Sequence, residues 1–477
     1  MTIREIHSAL LEKKISALER VEHALATIEK NENLNAFTQV FADEARQQAQ
    51  ELDEKIARGE AVGPLAGIIV AVKDNINIKG KPTTCASKIL ENFVAPFDAT
   101  VIARLREAGV IFIGKTNMDE FAMGSSSENS LFGAVKNPLD SKRVAGGSSG
   151  GSAVAVRIGA CDVALGSETG GSIRQPASFT GLIGVKPTYG RVSRYGLVAY
   201  ASSLDQIGVF AANSADAALL LQHIAGLDEH DSTSSPTPVP AYSELLSKDV
   251  KGMRIGLPNA YFADGLDASI KERILAVCAA LENRGAQIET FDLPLTKYAV
   301  ATYYIIATAE ASSNLARYDG VRYGFRADEV NDLADMYEKT RSEGFGAEVK
   351  RRILLGTYVL SAGYYDAYYK KAMQVRRLIQ QELLQAFDTY EAIITPTTPT
   401  PAFGLGEKID DPLTMYLMDI YTVTANLAGI CAMNVPVGRH PDGLPVGLQI
   451  MAKPFDEEVL FRLGATIEQL SEIKDPE

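Results

Sequence analysis

The stretch GGSSGGSAVAVRIGACDVALGSETGGS (residues 146–172) decides how this chain folds. Two loops rich in glycine and serine enclose a predicted helix at residues 152–158 and a short apolar strand at residues 163–165. Glycine loses more chain entropy on folding than any other residue and adds no side chain to the packing. Two such loops on neighbouring elements therefore indicate converging backbone N–H groups that can stabilise an oxyanion, although tight turns between packed elements would look similar.

Short apolar runs alternate with helical segments on both sides of this stretch. Residues 68–72 (IIVAV) are predicted to form a buried strand, and Asp98 is predicted to cap a helix that stops at Gly109. Further predicted elements are strands at 110–113, 254–257, 287–291 and 392–395 and a helix at 268–284. Continuous apolar strands between helices are typical of a sheet covered on both faces, so we predict an α/β fold.

The first 58 residues differ from the rest, because they are predicted to be helical throughout. Ile3, Ile6 and Leu10 share one face, Ser16-Ala-Leu-Glu19 matches a capping box, and residues 34–58 are predicted to form one long polar helix. Gly63-Pro64 then breaks the pattern. We expect residues 59–477 to form one α/β domain, with residues 228–240 as a surface connection inside it.

Composition excludes several classes of protein. The chain has 477 residues, 46% hydrophobic and 22% charged, which is ordinary for a globular protein, and a net charge of −13. This net negative charge disfavours nucleic-acid binding by the chain itself, because affinity for nucleic acids depends on Lys and Arg that neutralise phosphates. It is compatible with a partner protein that binds RNA. We see neither a signal peptide nor an apolar run of membrane-spanning length. Four widely separated cysteines predict no zinc site and a reducing compartment such as the cytoplasm.

Three short motifs match known catalytic or nucleotide-binding patterns only weakly. Residues 109–116 (GVIFIGKT) fit the Walker A pattern, but their central Val-Ile-Phe-Ile favours a strand over a phosphate-binding loop. Residues 146–150 fit the G-x-S-x-G nucleophile elbow, yet turn-forming residues precede them where a strand is required. An S-x-x-K pair, Ser471 and Lys474, lies at the end of the sequence.

A serine nucleophile needs a base, and none of the five histidines lies in these motifs. Lysine can serve if burial lowers its pKa from about 10.4 to between 7 and 8, which costs roughly 4 kcal/mol. Lys73 ends the predicted strand at 68–72, where α/β sheets place their sites. Alone, Lys73 would be interpreted as a surface lysine at a strand end; the neighbouring glycine–serine loops make it the candidate base.

Three stretches resemble the amidase signature family: VAVKDNI (residues 70–76), GGSSGGSAVAV (146–156) and GSETGGSIRQPASFTGLIGVKPTYGRVSRYG (166–196). The resemblance implies a large mixed β-sheet flanked by helices and a Ser–cisSer–Lys triad. In that triad Ser172 would be the nucleophile, Ser148 the bridging serine after a cis peptide bond, and Lys73 the base. An oxyanion hole would come from the amides of Thr169, Gly170, Gly171 and Ser172.

Within the family, residues 118–130, 303–324, 351–372 and 394–407 resemble a branch formed by the glutaminase subunits of tRNA-dependent amidotransferases. That branch implies a glutamine site at Tyr303, Arg352 and Asp419, with Ser125 lining it. Glutamine is a zwitterion, so Arg352 can bind its α-carboxylate and Asp419 its α-ammonium. Without the resemblance, both would be interpreted as helix-surface residues.

The same branch implies partners for this chain. It predicts no metal or cofactor in the chain itself, two partner proteins that form the B and C subunits of the amidotransferase, and a misacylated tRNA held mainly by the B subunit. ATP and Mg²⁺ would act at the B subunit, whereas neither DNA nor a membrane would be bound. Alternatives are a free-standing amidase for small amides, an inactive scaffold and, more remotely, a P-loop ATPase.

Two positions depart from the family pattern. Position 168 is Glu where many relatives have Asp, and Cys431 stands where relatives usually carry proline. Neither removes a catalytic group, but both are expected to alter the rigidity of nearby loops.

Overall fold

A computed structural model describes residues 1–246, 249–263, 265–408 and 411–470. The Ser471 and Lys474 pair lies outside the described residues. In chain order the strands are β1 (Phe37–Val40), β2 (Ile69–Lys73), β3 (Ile111–Thr116), β4 (Lys136–Asn137), β5 (Asp140–Val144), β6 (Val163–Glu168), β7 (Ile183–Lys186), β8 (Gln206–Ala211), β9 (Arg254–Pro258), β10 (Gln287–Phe291), β11 (Ala392–Pro396), β12 (Cys431–Arg439) and β13 (Pro445–Ala452).

Helices precede, separate and follow these strands. They are α1 (Ile3–Leu11), α2 (Ala17–Lys30), α3 (Ala42–Arg58), α4 (Thr100–Glu107), α5 (Gly150–Arg157), α6 (Arg174–Thr180), α7 (Ser214–Ile224), α8 (Ala268–Asn283), α9 (Ala299–Asn314), α10 (Leu333–Gly344), α11 (Ala347–Leu360), α12 (Lys371–Ala386), α13 (Pro412–Leu417), α14 (Val423–Ala428) and α15 (Glu457–Leu470). A π-helical segment, Tyr365–Lys370, leads directly into α12.

One large sheet organises the described part of the chain, with strand order β1-β3-β2-β6-β8-β7-β12-β13-β11-β9-β10. Strand β2 runs parallel to β3 and β6, and β9 runs parallel to β10 and β11, whereas the other neighbouring pairs are antiparallel. Strands β2, β6, β8 and β13 are buried along their whole length. The predicted α/β class and the mixed sheet are therefore confirmed.

The N-terminal segment is not helical throughout, so the prediction of one helix over residues 34–58 is wrong. Phe37–Val40 forms β1, which pairs antiparallel with β3, and the helix begins only at Ala42. Pairing with β3 overrides local helix propensity here, because the outer backbone groups of β3 would otherwise lack hydrogen-bond partners from the chain. Ile3, Ile6 and Ile56 nevertheless belong to the same hydrophobic core as the large sheet.

Two predicted helix starts differ in detail. Ser16 accepts the Glu19 N–H as expected, but the carboxylate of Asp53 accepts the N–H groups of Ala17 and Leu18 at the start of the helix. Asp98 does not cap α4: its side chain accepts hydrogen bonds from the Lys79 amide and from Arg106. Asp53 of α3 therefore caps α2 from a distant segment, whereas Asp98 is engaged by residues other than the first amides of α4.

The Walker-like stretch, residues 109–116, folds mostly as strand β3. Residues 111–116 form a buried strand, slightly later than the predicted 110–113, so the residues between the two glycines do not form a phosphate-binding loop. Lys115 is fully buried and pairs with Asp74 at 3.0 Å. Among the described residues, no helix is both long and apolar enough to cross a bilayer.

Candidate active site

Lys73 occupies the last position of β2, in the middle of the parallel part of the sheet. Its side chain is fully buried, and its Nζ lies 2.7 Å from Ser148 Oγ, 2.7 Å from Ser149 Oγ and 3.2 Å from the Ser167 carbonyl oxygen. These partners are 75, 76 and 94 residues away in sequence. The fold therefore joins the strand-end lysine to both glycine–serine loops.

Burial lowers the pKa of Lys73 from 10.5 to about 7, because the ammonium form loses its hydration inside the protein. The negative charges of Asp119 and Asp205 oppose this shift but do not cancel it. Burial also raises the pKa of each of these carboxyls to about 6. A substantial fraction of Lys73 is therefore the free amine at neutral pH.

Hydrogen-bond directions show which way that free amine points. The Ser167 carbonyl can only accept, so it takes one N–H of Lys73. Ser149 Oγ donates its single hydrogen to the same carbonyl at 3.1 Å, so Ser149 must accept the second N–H of Lys73. A neutral amine has only two N–H groups, which leaves its lone pair for the Ser148 hydroxyl.

The peptide bond between Gly147 and Ser148 is cis, as the family resemblance implied. Gly147 donates its N–H to Gln175 Oε1 at 2.9 Å. A Cβ atom at Gly147 would lie 2.1 Å from Asp119 Oδ2, so glycine is required by the close approach of that carboxylate. Asp119 also accepts the Ser127 and Asn129 amides, which connects the Ser148 loop to the loop carrying Ser125.

Ser172 follows the second glycine–serine loop and is 8% exposed, whereas Lys73 and Ser148 have no exposed surface. Its carbonyl accepts the Ser149 N–H at 3.2 Å, so the two loops are in direct contact. The Ser172 hydroxyl makes no hydrogen bond to any described residue. Of the Ser148 and Ser172 hydroxyls, that of Ser172 is thus the one a substrate can reach.

Four consecutive amides lie in this loop, those of Thr169, Gly170, Gly171 and Ser172. None of them donates a hydrogen bond to the part of the chain that the structure describes. Unpaired N–H groups are rare in a protein interior, since each costs free energy comparable to a lost hydrogen bond. Donors left free in this way can stabilise a developing oxyanion.

Neighbouring side chains hold the loop with little clearance. Thr169 donates its hydroxyl to Asp205 at 2.6 Å. A Cβ atom at Gly170 would lie 2.5 Å from the ring of Tyr303, and one at Gly171 would lie 2.4 Å from Thr422 Oγ1. Both glycines are therefore required by packing, and Gly171 also has a positive φ of 148°.

Glu168, the longer acid that departs from the family pattern, anchors the same loop. Its carboxylate accepts the amides of Ile173 and Arg174 and forms a fully buried ion pair with the Arg174 guanidinium. Although burial opposes ionisation, Arg174 and these hydrogen bonds lower the pKa of Glu168. The carboxylate thereby ties the two ends of the loop together.

The second departure, Cys431, begins β12 and is fully buried. Its Sγ lies 3.3 Å from the Lys453 carbonyl oxygen. Cysteine keeps the backbone N–H that proline would lack, and the residue lies in a regular strand next to β7 and β13.

Arg352 lies on the inner face of α11 and is 3% exposed. Its Nε donates to Glu348 at 2.8 Å and its Nη1 donates to Tyr200 OH at 2.7 Å. The rings of Tyr200, Tyr304 and Tyr416 surround the guanidinium, with their centroids 5.7, 5.4 and 5.3 Å from its central carbon. In the described residues Nη2 has no hydrogen-bond partner, so it can donate to a bound carboxylate.

Asp419 is the matching acceptor. Its carboxylate accepts the Ser125 hydroxyl at 3.1 Å and the Tyr304 hydroxyl at 2.9 Å, and burial raises its pKa to about 7. Tyr304 thus touches Arg352 with its ring and Asp419 with its hydroxyl. A cation and an anion so close together fit the α-carboxylate and α-ammonium of an amino acid.

The sequence predictions included Lys73, Ser148, Ser172 and the loop amides. The structure joins Lys73 to Ser148 by a hydrogen bond and places the loop of residues 169–172 against Ser149 through the Ser172 carbonyl. It also gathers Ser125, Tyr303, Arg352 and Asp419 around one spot. Sequence reasoning missed a set of supporting residues: Asp119, Ser149, Tyr200, Tyr304, Glu348 and Tyr416. Ser149 and Tyr304 were adjacent to predicted site residues and Asp119 lay in the stretch 118–130, whereas Tyr200, Glu348 and Tyr416 carried no motif that could identify them.

Comparison with known proteins extends this picture over the whole chain. Residues 19–461 match the model of the amidase family. The chain is 56% identical over 472 residues to the A subunit of glutamyl-tRNA(Gln) amidotransferase from Geobacillus stearothermophilus, covering 99% of this chain and 97% of that protein. It is also 56% identical to the protein of the same name from Carboxydothermus hydrogenoformans, with the same coverage.

A solved structure is similar over the same length. The crystal structure of the A subunit of glutamyl-tRNA(Gln) amidotransferase from Thermotoga maritima has a TM-score of 0.82 and 44% identity to this chain. The alignment covers 100% of this chain and 96% of that one. All the candidate site residues described above lie within the range that the family model matches.

Proposed function

The chain belongs to the amidase family, and on that premise we propose that it is the glutamine-hydrolysing subunit of a tRNA-dependent amidotransferase. The observation that carries the proposal is the buried amine of Lys73, 2.7 Å from Ser148 Oγ and beside four amides that have no partner among the described residues. Arg352 and Asp419 supply the second half of the argument, since they match a free amino acid rather than a simple amide.

In the proposed acylation step, the Ser172 oxygen attacks the side-chain amide carbon of glutamine. The Ser172 proton passes to Ser148 while the Ser148 proton passes to the lone pair of Lys73. The carbonyl oxygen becomes an oxyanion held by the amides of residues 169–172. Collapse of the tetrahedral intermediate breaks the C–N bond, and the Lys73 proton returns through Ser148 to the departing ammonia.

Water then hydrolyses the γ-glutamyl ester on Ser172 by the same proton path in reverse order. Lys73 again accepts a proton through Ser148 as water attacks, and the proton returns to the Ser172 oxygen as glutamate leaves. Each half-reaction ends with a neutral lysine, and the second restores the Ser172 hydroxyl. A lysine with a pKa near 7 suits this role, because it exchanges protons readily in both directions at neutral pH.

We propose that the ammonia is passed to the B subunit, with a small C subunit completing a heterotrimer in the cytoplasm. There, ATP and Mg²⁺ would activate Glu-tRNA(Gln), or also Asp-tRNA(Asn), for amidation. The net charge of −13 supports a division of labour in which the partner holds the tRNA. This chain would then supply only the nitrogen.

A free-standing amidase with the same triad is the alternative, and it is not favoured. The near-complete coverage of both this chain and its 56%-identical relatives leaves no region that distinguishes it from those proteins. A simple aliphatic amide would also lack the two charged groups that Arg352 and Asp419 are placed to bind.

The test is glutamine hydrolysis by the wild-type complex and by Ser172→Ala. We expect the variant to lose glutaminase activity while ammonia added directly still supports amidation of the charged tRNA. A wild-type acyl-enzyme on Ser172, trapped by acid quenching and detected by mass spectrometry, would establish the nucleophile. Full glutaminase activity in Ser172→Ala would refute the assignment.

A further inference from the structure

A cluster of apolar side chains lies on the outer surface of α11, the turn that follows it and the π-helical segment Tyr365–Lys370. We define the tyrosine patch as Leu354, Tyr358, Tyr364 and Tyr368. The rings of Tyr358 and Tyr364 are 4.4 Å apart, and the ring of Tyr368 lies 5.9 Å from that of Tyr364. Leu354 is 70% exposed and the three tyrosines are 40–49% exposed. Contiguous exposed apolar groups of this kind mark interaction surfaces.

The charge around the patch differs from that of the whole chain. Residues 350–378 contain a single acid, Asp366, and five exposed Lys or Arg residues, Lys350, Arg351, Lys370, Lys371 and Arg377, in a protein whose net charge is −13. Lys350 lies one helical turn before Leu354, and Lys371 follows Tyr368 by three residues; both are exposed. The one acid already pairs with Lys370 at 3.2 Å. A basic border around an apolar centre matches a partner with apolar residues bordered by carboxylates.

The helix beneath the patch is rigidly supported. A Cβ atom at Gly356 would lie 2.0 Å from the Thr308 carbonyl oxygen, so α11 packs against the backbone of α9 without intervening side chains. The inner face of α11 is held by the contacts of Arg352 with Glu348 and Tyr200. A surface that does not rearrange on binding loses little entropy, which favours docking.

We propose that the tyrosine patch docks an acidic protein segment of another amidotransferase subunit. This inference rests on the proposed function, which requires a partner that receives the ammonia. An RNA is disfavoured as the occupant, because the most exposed residue of the patch is the aliphatic Leu354, at 70%. Interfaces with nucleic acid are instead more polar and positively charged than those between proteins.

The experiment uses the heterotrimer obtained by co-expressing this chain with its two partners. The double variant Leu354→Glu/Tyr358→Glu is expected to weaken assembly by about 100-fold or more, since it places two charges in the centre of the interface. The dissociation constant is measured by dilution in an analytical ultracentrifuge. Leu275→Glu is the matched control, because Leu275 is a 41% exposed leucine on α8, away from the patch, and this variant should assemble like the wild type.

A second pair of substitutions tests the charge argument without altering the apolar centre. Lys350→Glu and Lys371→Glu together are expected to slow association about tenfold at low salt and to have little effect at high salt. Circular dichroism and glutamine hydrolysis by each variant chain establish that it is folded.

The outcomes separate this inference from the proposed function. If the wild-type heterotrimer forms and transamidates but Leu354→Glu/Tyr358→Glu assembles equally well, the docking inference is wrong and the function stands. If the wild-type chain forms no complex with these partners, both fail. If the patch variants assemble normally but the chain alone binds bulk tRNA and the variants do not, the surface is an RNA site and the inference is overturned.

Discussion

The pH dependence of glutamine hydrolysis follows directly from the environment of Lys73. With a pKa of about 7, the lysine is about 9% neutral at pH 6 and about 91% neutral at pH 8. At saturating glutamine we therefore expect kcat to rise about tenfold between these pH values and to level off above pH 8. A lysine at 10.5 would instead give a rise of about 100-fold over this interval, with no plateau before pH 9.

Asp419 adds a second ionisation that affects only glutamine binding. Its pKa is also about 7 in the unliganded protein, and it must be ionised to bind the α-ammonium. Because kcat/KM reports the free enzyme, it should rise about 100-fold between pH 6 and 8, the product of two tenfold terms. Steady-state assays over this range and at more alkaline pH, with ammonia detected in a coupled reaction, separate kcat from kcat/KM.

Asp419→Asn is the matched control for this pair of ionisations. It should raise KM strongly, reduce the rise in kcat/KM to about tenfold and leave the midpoint of the kcat profile near pH 7. A kcat that continues to increase tenfold per pH unit up to pH 9 would refute the neutral-lysine mechanism, whatever Asp419→Asn does.

Three further substitutions test the surroundings of the triad. Lys73→Met should stabilise the protein by roughly 2–4 kcal/mol at pH 7. The pKa of Lys73 is lower in the folded than in the unfolded chain, so the free-energy cost of burying this lysine grows as pH falls from 10.5 to 7. The gain in thermal stability should therefore shrink towards pH 10. Glu168→Gln leaves the buried Arg174 charge without its carboxylate partner and should destabilise the fold by about 3–5 kcal/mol in chemical denaturation while lowering kcat. Gly170→Ala places a methyl group against Tyr303, so kcat/KM for glutamine should fall at least tenfold with an unchanged circular dichroism spectrum.

Each of these has a contradicting result. A loss of stability in Lys73→Met at pH 7, relative to Lys79→Met at an exposed position, would mean that the lysine stabilises the fold. If Glu168→Gln unfolds at the same denaturant concentration as the exposed control Glu272→Gln, the Glu168 carboxylate does not stabilise the loop. Wild-type kinetics in Gly170→Ala would show that the loop tolerates displacement of the ring.

Local sequence predicted the elements that depend on neighbours in the chain. The apolar runs ending at Lys73 and near Ile113 became strands, because a strand covered on both faces buries four or five consecutive apolar residues. The prediction failed where a distant partner decided the outcome: residues 37–40 became an edge strand by pairing with β3, and Asp98 bonded to Arg106 instead of capping a helix.

The glutamine site shows the same division. Tyr200, Tyr304 and Tyr416 come from three separate segments and meet only around the Arg352 guanidinium. No spacing in the sequence distinguishes them from the chain's 16 other tyrosines. Recognition of Arg352 and Asp419 depended on resemblance to a known family, whereas their pairing through Tyr304 is a property of the fold.

The sequence by itself determined the chemical groups of the site: a lysine at a strand end, two serines in glycine-rich loops and no histidine that could replace the lysine. These follow from composition and local backbone requirements. Only the tertiary structure decided that a large fraction of the lysine is neutral at pH 7 and that the lone pair of this neutral form faces Ser148. Both properties depend on the removal of water and on the Ser149 and Ser167 oxygens, which reach the amine from 76 and 94 residues away.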